Sequence, residues 1–113
     1  MGVARPQVDV MKGRAVTKQD QQLWDALAGI GCVACLKDGN VNPWISIHHI
    51  SGRSQPGAHQ KVLPLCAGHH QDGTGNDKSM VAVHPYKARF EQMYGSQMDL
   101  LEWAKERAGI SSN

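Results

Sequence analysis

The residues able to do chemistry gather in three short stretches. Cys32-Val33-Ala34-Cys35 offers two thiols, Ile47-His48-His49-Ile50 a histidine doublet, and Leu65-Cys66-Ala67-Gly68-His69-His70 a thiol followed by a second doublet. Cys32-x2-Cys35 and Cys66-x2-His69 share one spacing. Two such knuckles can each present two ligands on one side of a turn. Together they supply the thiolate and imidazole donors that a tetrahedral zinc ion favours. Four protein ligands leave no open position, so a structural Zn²⁺ is expected at Cys32, Cys35, Cys66 and His69. Three cysteines are an odd number for a closed disulfide framework and suit a mixed Cys/His site. The alternative, that Cys32 and Cys35 are ordinary small buried residues, is weakened by the second pair at matching spacing.

His48, His49 and His70, with His84 further on, form another group. A lone histidine is usually a polar residue with a satisfied hydrogen bond, but two doublets in succession ask for more. One role is a second divalent ion held by imidazoles, with water in its open positions. The other is general base, since an unperturbed histidine has a pKa of about 6.5.

These groups need elements to hold them. Residues 1–16 contain Gly2, Pro6 and Gly13 without periodicity and read as a flexible arm. Arg5, Lys12, Arg14 and Lys18 against Asp9 make this end basic, fit either to lie along phosphates or to be a solvated tail. Residues 17–113 read as one domain. Thr17 with Asp20 starts a helix whose Leu23, Trp24, Leu27, Ala28 and Ile30 recur at helical spacing, ended by Gly29 and Gly31. A turn-rich loop, 38–43, follows the first knuckle. Residues 44–50 read as a strand, 51–58 as a polar loop, and 62–65 as a second strand in which Pro64 implies an edge or bulge. The two strands make a hairpin with a long loop. A short helix is expected from Cys66 to Gln71, halted by Gly73 and Gly75, then a mobile loop over 72–78 and a brief strand over 81–83. Pro85 is placed for a helix's first turn, and Ser96 with Asp99 caps a last helix that Gly109 ends.

At 113 residues and net charge +2, the chain is small and only mildly basic, so charge alone does not argue for nucleic acid. A domain of this size gains from a structural metal. No apolar run approaches the roughly 20 residues of a membrane span, and the N-terminus has no secretory apolar core. A cytosolic protein with reduced thiols and no membrane partner is expected.

The order Ile47-His48-His49-Ile50, then Val62-Leu63-Pro64-Leu65-Cys66-x-x-His69-His70, resembles the HNH, or ββα-metal, endonuclease motif. The resemblance implies an α+β fold: a small ββα-metal core with a zinc knuckle, flanked by an N-terminal helix and two C-terminal helices. It implies His48 as a metal ligand, His49 as the base that activates water, and His70 as the helical ligand, with His69 left to the structural zinc. The family's middle asparagine falls at Lys61, which cannot accept a hydrogen bond or bind metal. His59 or Gln60 could substitute, and His84 could complete the shell. Along most of the chain the order of motifs is similar to the phage recombination-enhancement nucleases, the Ref family. They run from Lys12-Gly13-Arg14 through the knuckles and Val81-Ala82-Val83-His84 to Phe90-Glu91 and Tyr94-Gly95. That resemblance implies a phage or prophage endonuclease in the bacterial cytoplasm, cutting DNA within a RecA filament with a catalytic Mg²⁺, Mn²⁺ or Zn²⁺. Arg53, Lys61 and Lys87 could touch flanking phosphates, though each is also an ordinary surface charge.

Two other classes remain in view. A non-catalytic zinc module binding nucleic acid or protein needs only the four knuckle residues and predicts one metal per chain. A zinc hydrolase with another substrate is disfavoured, because no Glu lies close to the histidines as in zinc peptidases.

Overall fold

The computed structural model describes residues 15–71 and 80–110. The basic arm up to residue 14, the loop 72–79 and the last three residues lie outside them, and with them most of the expected arm, the expected mobile loop and the glycines meant to halt the short helix.

The first helix, α1 (Lys18–Ile30), begins as its sequence dictates. Thr17 Oγ1 accepts the Asp20 amide while the Asp20 carboxylate accepts the Thr17 amide, a reciprocal box that satisfies two otherwise orphaned donors. Asp20, Leu23 and Leu27 form its buried stripe. Gly29 lies within the helix, and Gly31 terminates it. Cys32 caps α2 (Val33–Lys37), a short helix over the first knuckle. Strand β1 (Ser46–His49) pairs antiparallel with β2 (Val62–Leu65), Ser46 opposite Leu65 and His49 opposite Val62. The strand expected over 44–50 is thus trimmed at both ends. Its partner runs out at Leu65, because Cys66 turns into α3 (Ala67–His70). Pro64 sits opposite Ile47 in a sheet of two strands, where every strand is an edge and a missing N–H is tolerated. The 51–58 loop leads into a single 3₁₀ turn, Ala58–Gln60, that buries Ala58 and His59 and was not expected.

Two expectations need correction. Val81, Ala82 and Val83 are buried but form no strand. Among the described residues their only pairing is a single parallel bridge from His84 to Gln71. The neighbour is the end of a one-turn helix, which has two carbonyls to offer and no ladder: Val83 N–H donates to His69 O at 2.8 Å and His84 N–H to His70 O at 3.1 Å. Pro85 precedes the next helix without entering it. Helix α4 (Lys87–Tyr94) starts after Tyr86, whose own N–H is held by Ala82 O. Helix α5 (Gln97–Ala108) has the predicted Ser96 cap and ends at Gly109.

All four residues of β2 are buried, and α1 and α5 pack on each other and on that strand. Leu27, Val62, Leu63, Leu65, Phe90, Leu100 and Leu101 are the filled centre. The fold is therefore α+β, a ββα unit preceded by α1 and the short knuckle helix α2 and followed by α4 and α5. Helix α3 is shared by two clusters, one reaching back to the cysteines at α2 and the other to His48 of β1.

Candidate metal centres and active site

Helix α3 is one turn long and carries two neighbouring histidines. Successive residues on a helix point about 100° apart, so His69 and His70 serve different clusters.

His69 Nδ1 faces three sulfurs, at 3.5 Å from Cys32, 3.5 Å from Cys35 and 3.3 Å from Cys66, and the Cys35 and Cys66 sulfurs are 3.8 Å apart. Zn–S bonds of about 2.3 Å and a Zn–N bond of about 2.0 Å set tetrahedral edges of about 3.8 Å between sulfurs and about 3.5 Å from sulfur to nitrogen. The four donors already stand at the corners of such a figure. All four residues are buried and could hold a structural metal such as zinc. Burial pushes the Cys32 and Cys35 thiols up, and a cation among them is what reverses that preference. The surroundings are arranged too. The Cys35 amide points at Cys32 Sγ, and Asn42 Nδ2 at Cys35 Sγ. His69 Nε2–H donates to Tyr94 Oη at 3.2 Å, and Tyr94 Oη–H donates to Asp38 Oδ2 at 2.7 Å. Such a chain fixes the tautomer that turns Nδ1 toward the sulfurs. Burial, and then the Asp38 carboxylate, raise the Tyr94 phenol, so it stays a donor.

On the other side of α3, His48, His70 and His84 come together, with one nitrogen from each lying within 4.8 Å of the others. Their ring centroids are 5.1 Å (48 to 70), 5.0 Å (48 to 84) and 5.5 Å (70 to 84) apart. The backbone bonds from 83 and 84 to α3 put His84 there. His48 Nε2–H donates to Gln97 Oε1 at 2.7 Å, and Gln97 Nε2 donates to Glu91 Oε2 at 3.1 Å. A carboxylate can only accept, so Glu91 sets which end of the amide faces His48. Ser46 Oγ holds His70 Nδ1 at 2.9 Å. His48 Nδ1 is thereby left as a lone pair, and a His70 Nδ1–H donating to Ser46 Oγ would leave His70 Nε2 as another. Burial lowers the His48 pKa to about 4 against the upward pull of the Gln97 hydrogen bond, with the neighbouring imidazoles adding to the fall. Burial and His84 lower His70 as well. Both are neutral near pH 7, the form that ligates metal.

His49 departs from its neighbour as strand alternation requires. Its Nε2 lies 2.9 Å from His59 Nδ1, and Trp24 of α1 stands edge-on to both rings and donates its N–H to His59 O at 2.8 Å. Burial, the Arg53 cation and His59 lower its pKa to about 4. His59, two residues before Lys61, is thus the residue of that loop beside His49. Lys61 is half-buried and contributes its backbone carbonyl to the Ile50 amide. Arg53 is close enough to act on His49, whereas Lys87 is exposed at the start of α4.

Gln97 and Ser46 were not singled out in the sequence, and Glu91, Tyr94 and Asp38 stood there only as motif or turn residues without a site role. Gln97 had a signal: it occupies the buried stripe it shares with Leu100, Leu101 and Ala104. A polar side chain at a core position needs a partner. No helix among the described residues is long and apolar enough to cross a membrane.

Residues 16–109 match a family described as recombination enhancement, RecA-dependent nuclease. With the match spanning most of its length, the chain belongs to that family and is a nuclease of recombination.

Proposed function

We propose that the protein is a metal-dependent DNA endonuclease of the HNH type, with its active centre at His48, His70 and His84. The carrying observation is the meeting of three imidazoles at the hairpin edge and the one-turn helix, two of them with one nitrogen already engaged. Those three residues would hold the ion, and when bound it supplies positive charge to the scissile phosphate and the departing oxygen. An all-imidazole set favours Zn²⁺ over Mg²⁺ and Mn²⁺, which prefer oxygen donors. Cys32, Cys35, Cys66 and His69 would hold a separate structural Zn²⁺.

His49 is the proposed base. His59 holds its Nε2, which leaves Nδ1 to take a proton from water as the water oxygen attacks phosphorus and the P–O bond to the 3′ oxygen breaks. Because His49 leaves β1 on the face opposite His48, the phosphodiester must lie across the strand's end to reach both. Arg53 beside His49 is placed to meet a flanking phosphate. The family description supports a RecA filament on DNA as the physiological target, and the Ref resemblance supports a phage or prophage source. A purely structural zinc module leaves the three ordered imidazoles without a purpose.

The test is a nicking assay on single-stranded and supercoiled DNA, with and without RecA and ATP, across Mg²⁺, Mn²⁺ and Zn²⁺. Cleavage lost in a His70→Ala variant that keeps its structural zinc is expected. Wild-type protein that cuts under none of these conditions overturns the reading.

A further inference from the structure

The chain has three tryptophans, and two of them are accounted for. Trp24 braces the His49–His59 pair, and Trp103 lies between Lys37 and Arg107, each 4.5 Å from its ring. Trp44 is 82% exposed, and its ring makes no aromatic or cation contact among the described residues. We propose that Trp44 is a stacking platform for an unpaired DNA base next to the phosphate being cut. This rests on the nuclease reading above.

Three observations carry it. The first is position. Ile45 and Ile47 turn to the core, while Ser46 reaches His70 and His48 faces His70 and His84. Trp44 lies at the entry to β1, two residues before Ser46. Even fully extended, the two residues from Trp44 to Ser46 span at most about 7 Å, about two nucleotide repeats at ~3.4 Å each in a duplex. A base resting on Trp44 leaves a neighbouring phosphate over the histidines.

The second is stiffness. Asn42 Oδ1 accepts the Trp44 amide at 3.1 Å, Asn42 Nδ2 points at Cys35 Sγ, and Asn42 O accepts the Cys32 amide at 2.9 Å. The approach is so close that a Cβ on Gly31, where φ is +82°, would lie 2.5 Å from Asn42 O. The cysteine knuckle thus braces the residues that present Trp44. The third is chemistry. A large aromatic held in water costs hydration and gains nothing for this fold, whereas every base has a π-face and stacking on it is sequence-tolerant. The base must be unpaired, since a base within a duplex is stacked on both sides already.

The test uses the full chain and a fluorescein-labelled single-stranded oligonucleotide, read by anisotropy. Trp44→Ala is expected to weaken binding roughly 5- to 100-fold, with Trp44→Phe close to wild type. An abasic residue scanned along the oligonucleotide should weaken wild-type binding at one position beside the cut and leave Trp44→Ala indifferent there. Equal binding by wild type and Trp44→Ala, or no wild-type binding, overturns the proposal. So does a Trp44→Ala defect confined to RecA-coated DNA, which would make the residue a protein contact. Wild-type protein that binds the oligonucleotide but cuts DNA with none of the divalent ions removes the metal-dependent reading above and leaves the stacking result standing.

Discussion

His48 and Gln97, 49 residues apart in the chain, are joined by a 2.7 Å hydrogen bond that decides which face of the imidazole is free. Gln97 is in turn oriented by Glu91. If this chain aims a metal ligand, Gln97→Leu should lower affinity for the catalytic ion about 10- to 100-fold. Zinc at the cysteine knuckle should be unchanged. Titration of Mn²⁺ or Zn²⁺ by calorimetry, with cleavage measured beside it, checks this. Unaltered affinity in a folded Gln97→Leu protein makes the contact a core hydrogen bond only.

The cysteine knuckle joins the end of α1 to the sheet and α3, so its ion should act on folding and not directly on chemistry. Cys35→Ser, or stripping with a strong chelator, is expected to lose one equivalent of zinc and several kcal/mol of stability, enough to leave a small domain largely unfolded. Elemental analysis and thermal melts measure the two effects together. Retention of a cooperative melt at the wild-type temperature after complete zinc removal contradicts a structural role.

Asp20 closes the box at the start of α1 and also accepts Gln60 Nε2 at 2.6 Å, tying the helix to the turn that carries His59. Burial alone would raise this carboxyl. The Thr17 and Gln60 bonds outweigh it and hold the pKa below the ordinary 3.8. A group whose folded pKa is depressed contributes stability above its unfolded value and loses it as pH falls through the folded one. Asp20→Ala should therefore cost about 1 kcal/mol at neutral pH, and the gap from wild type should shrink below about pH 4. Denaturant melts of both proteins from pH 7 to pH 3 give the difference directly. A pH-independent gap would mean the carboxylate charge plays no part.

The readable part of this sequence was what repeats or punctuates. Thr17, Gly31, Ser96 and Gly109 marked the ends of helices because capping is local chemistry. The matched spacing of the two knuckles marked a four-ligand set because a one-turn separation is also local. What escaped was set by contacts distant in sequence. No spacing rule links Ser46 to His70 or Asp38 to Tyr94, and His59, named only as a substitute for the missing asparagine, could not be paired with His49 from a loop whose 3₁₀ turn has no periodicity to show. Val81-Ala82-Val83 read as a strand because it is apolar and β-branched, yet strand formation needs a partner edge, and here only the end of α3 was within reach. The opposite facings of His48 and His49 follow from the two-residue period of a strand, and on the proposed mechanism they decide where DNA would lie.

The pairing of His49 with His59 leads to the sharpest test of mechanism. If His49 takes a proton through Nδ1, its partner's task is to hold the tautomer and the ring angle. His49→Ala should lower the cleavage rate about 10²- to 10⁴-fold while zinc content and melting temperature stay near wild type. His59→Ala should lower kcat with KM little changed, and should cost some stability because Trp24 packs edge-on to that ring. His59→Asn or His59→Gln, able to accept the same hydrogen bond, should recover part of kcat, whereas His59→Leu should recover stability alone. Single-turnover rates on a DNA already bound separate these outcomes from weakened binding. If His59→Leu cleaves as fast as His59→Asn, the 2.9 Å contact positions nothing, and a His49→Ala protein that still cuts at the wild-type rate takes residue 49 out of the reaction altogether.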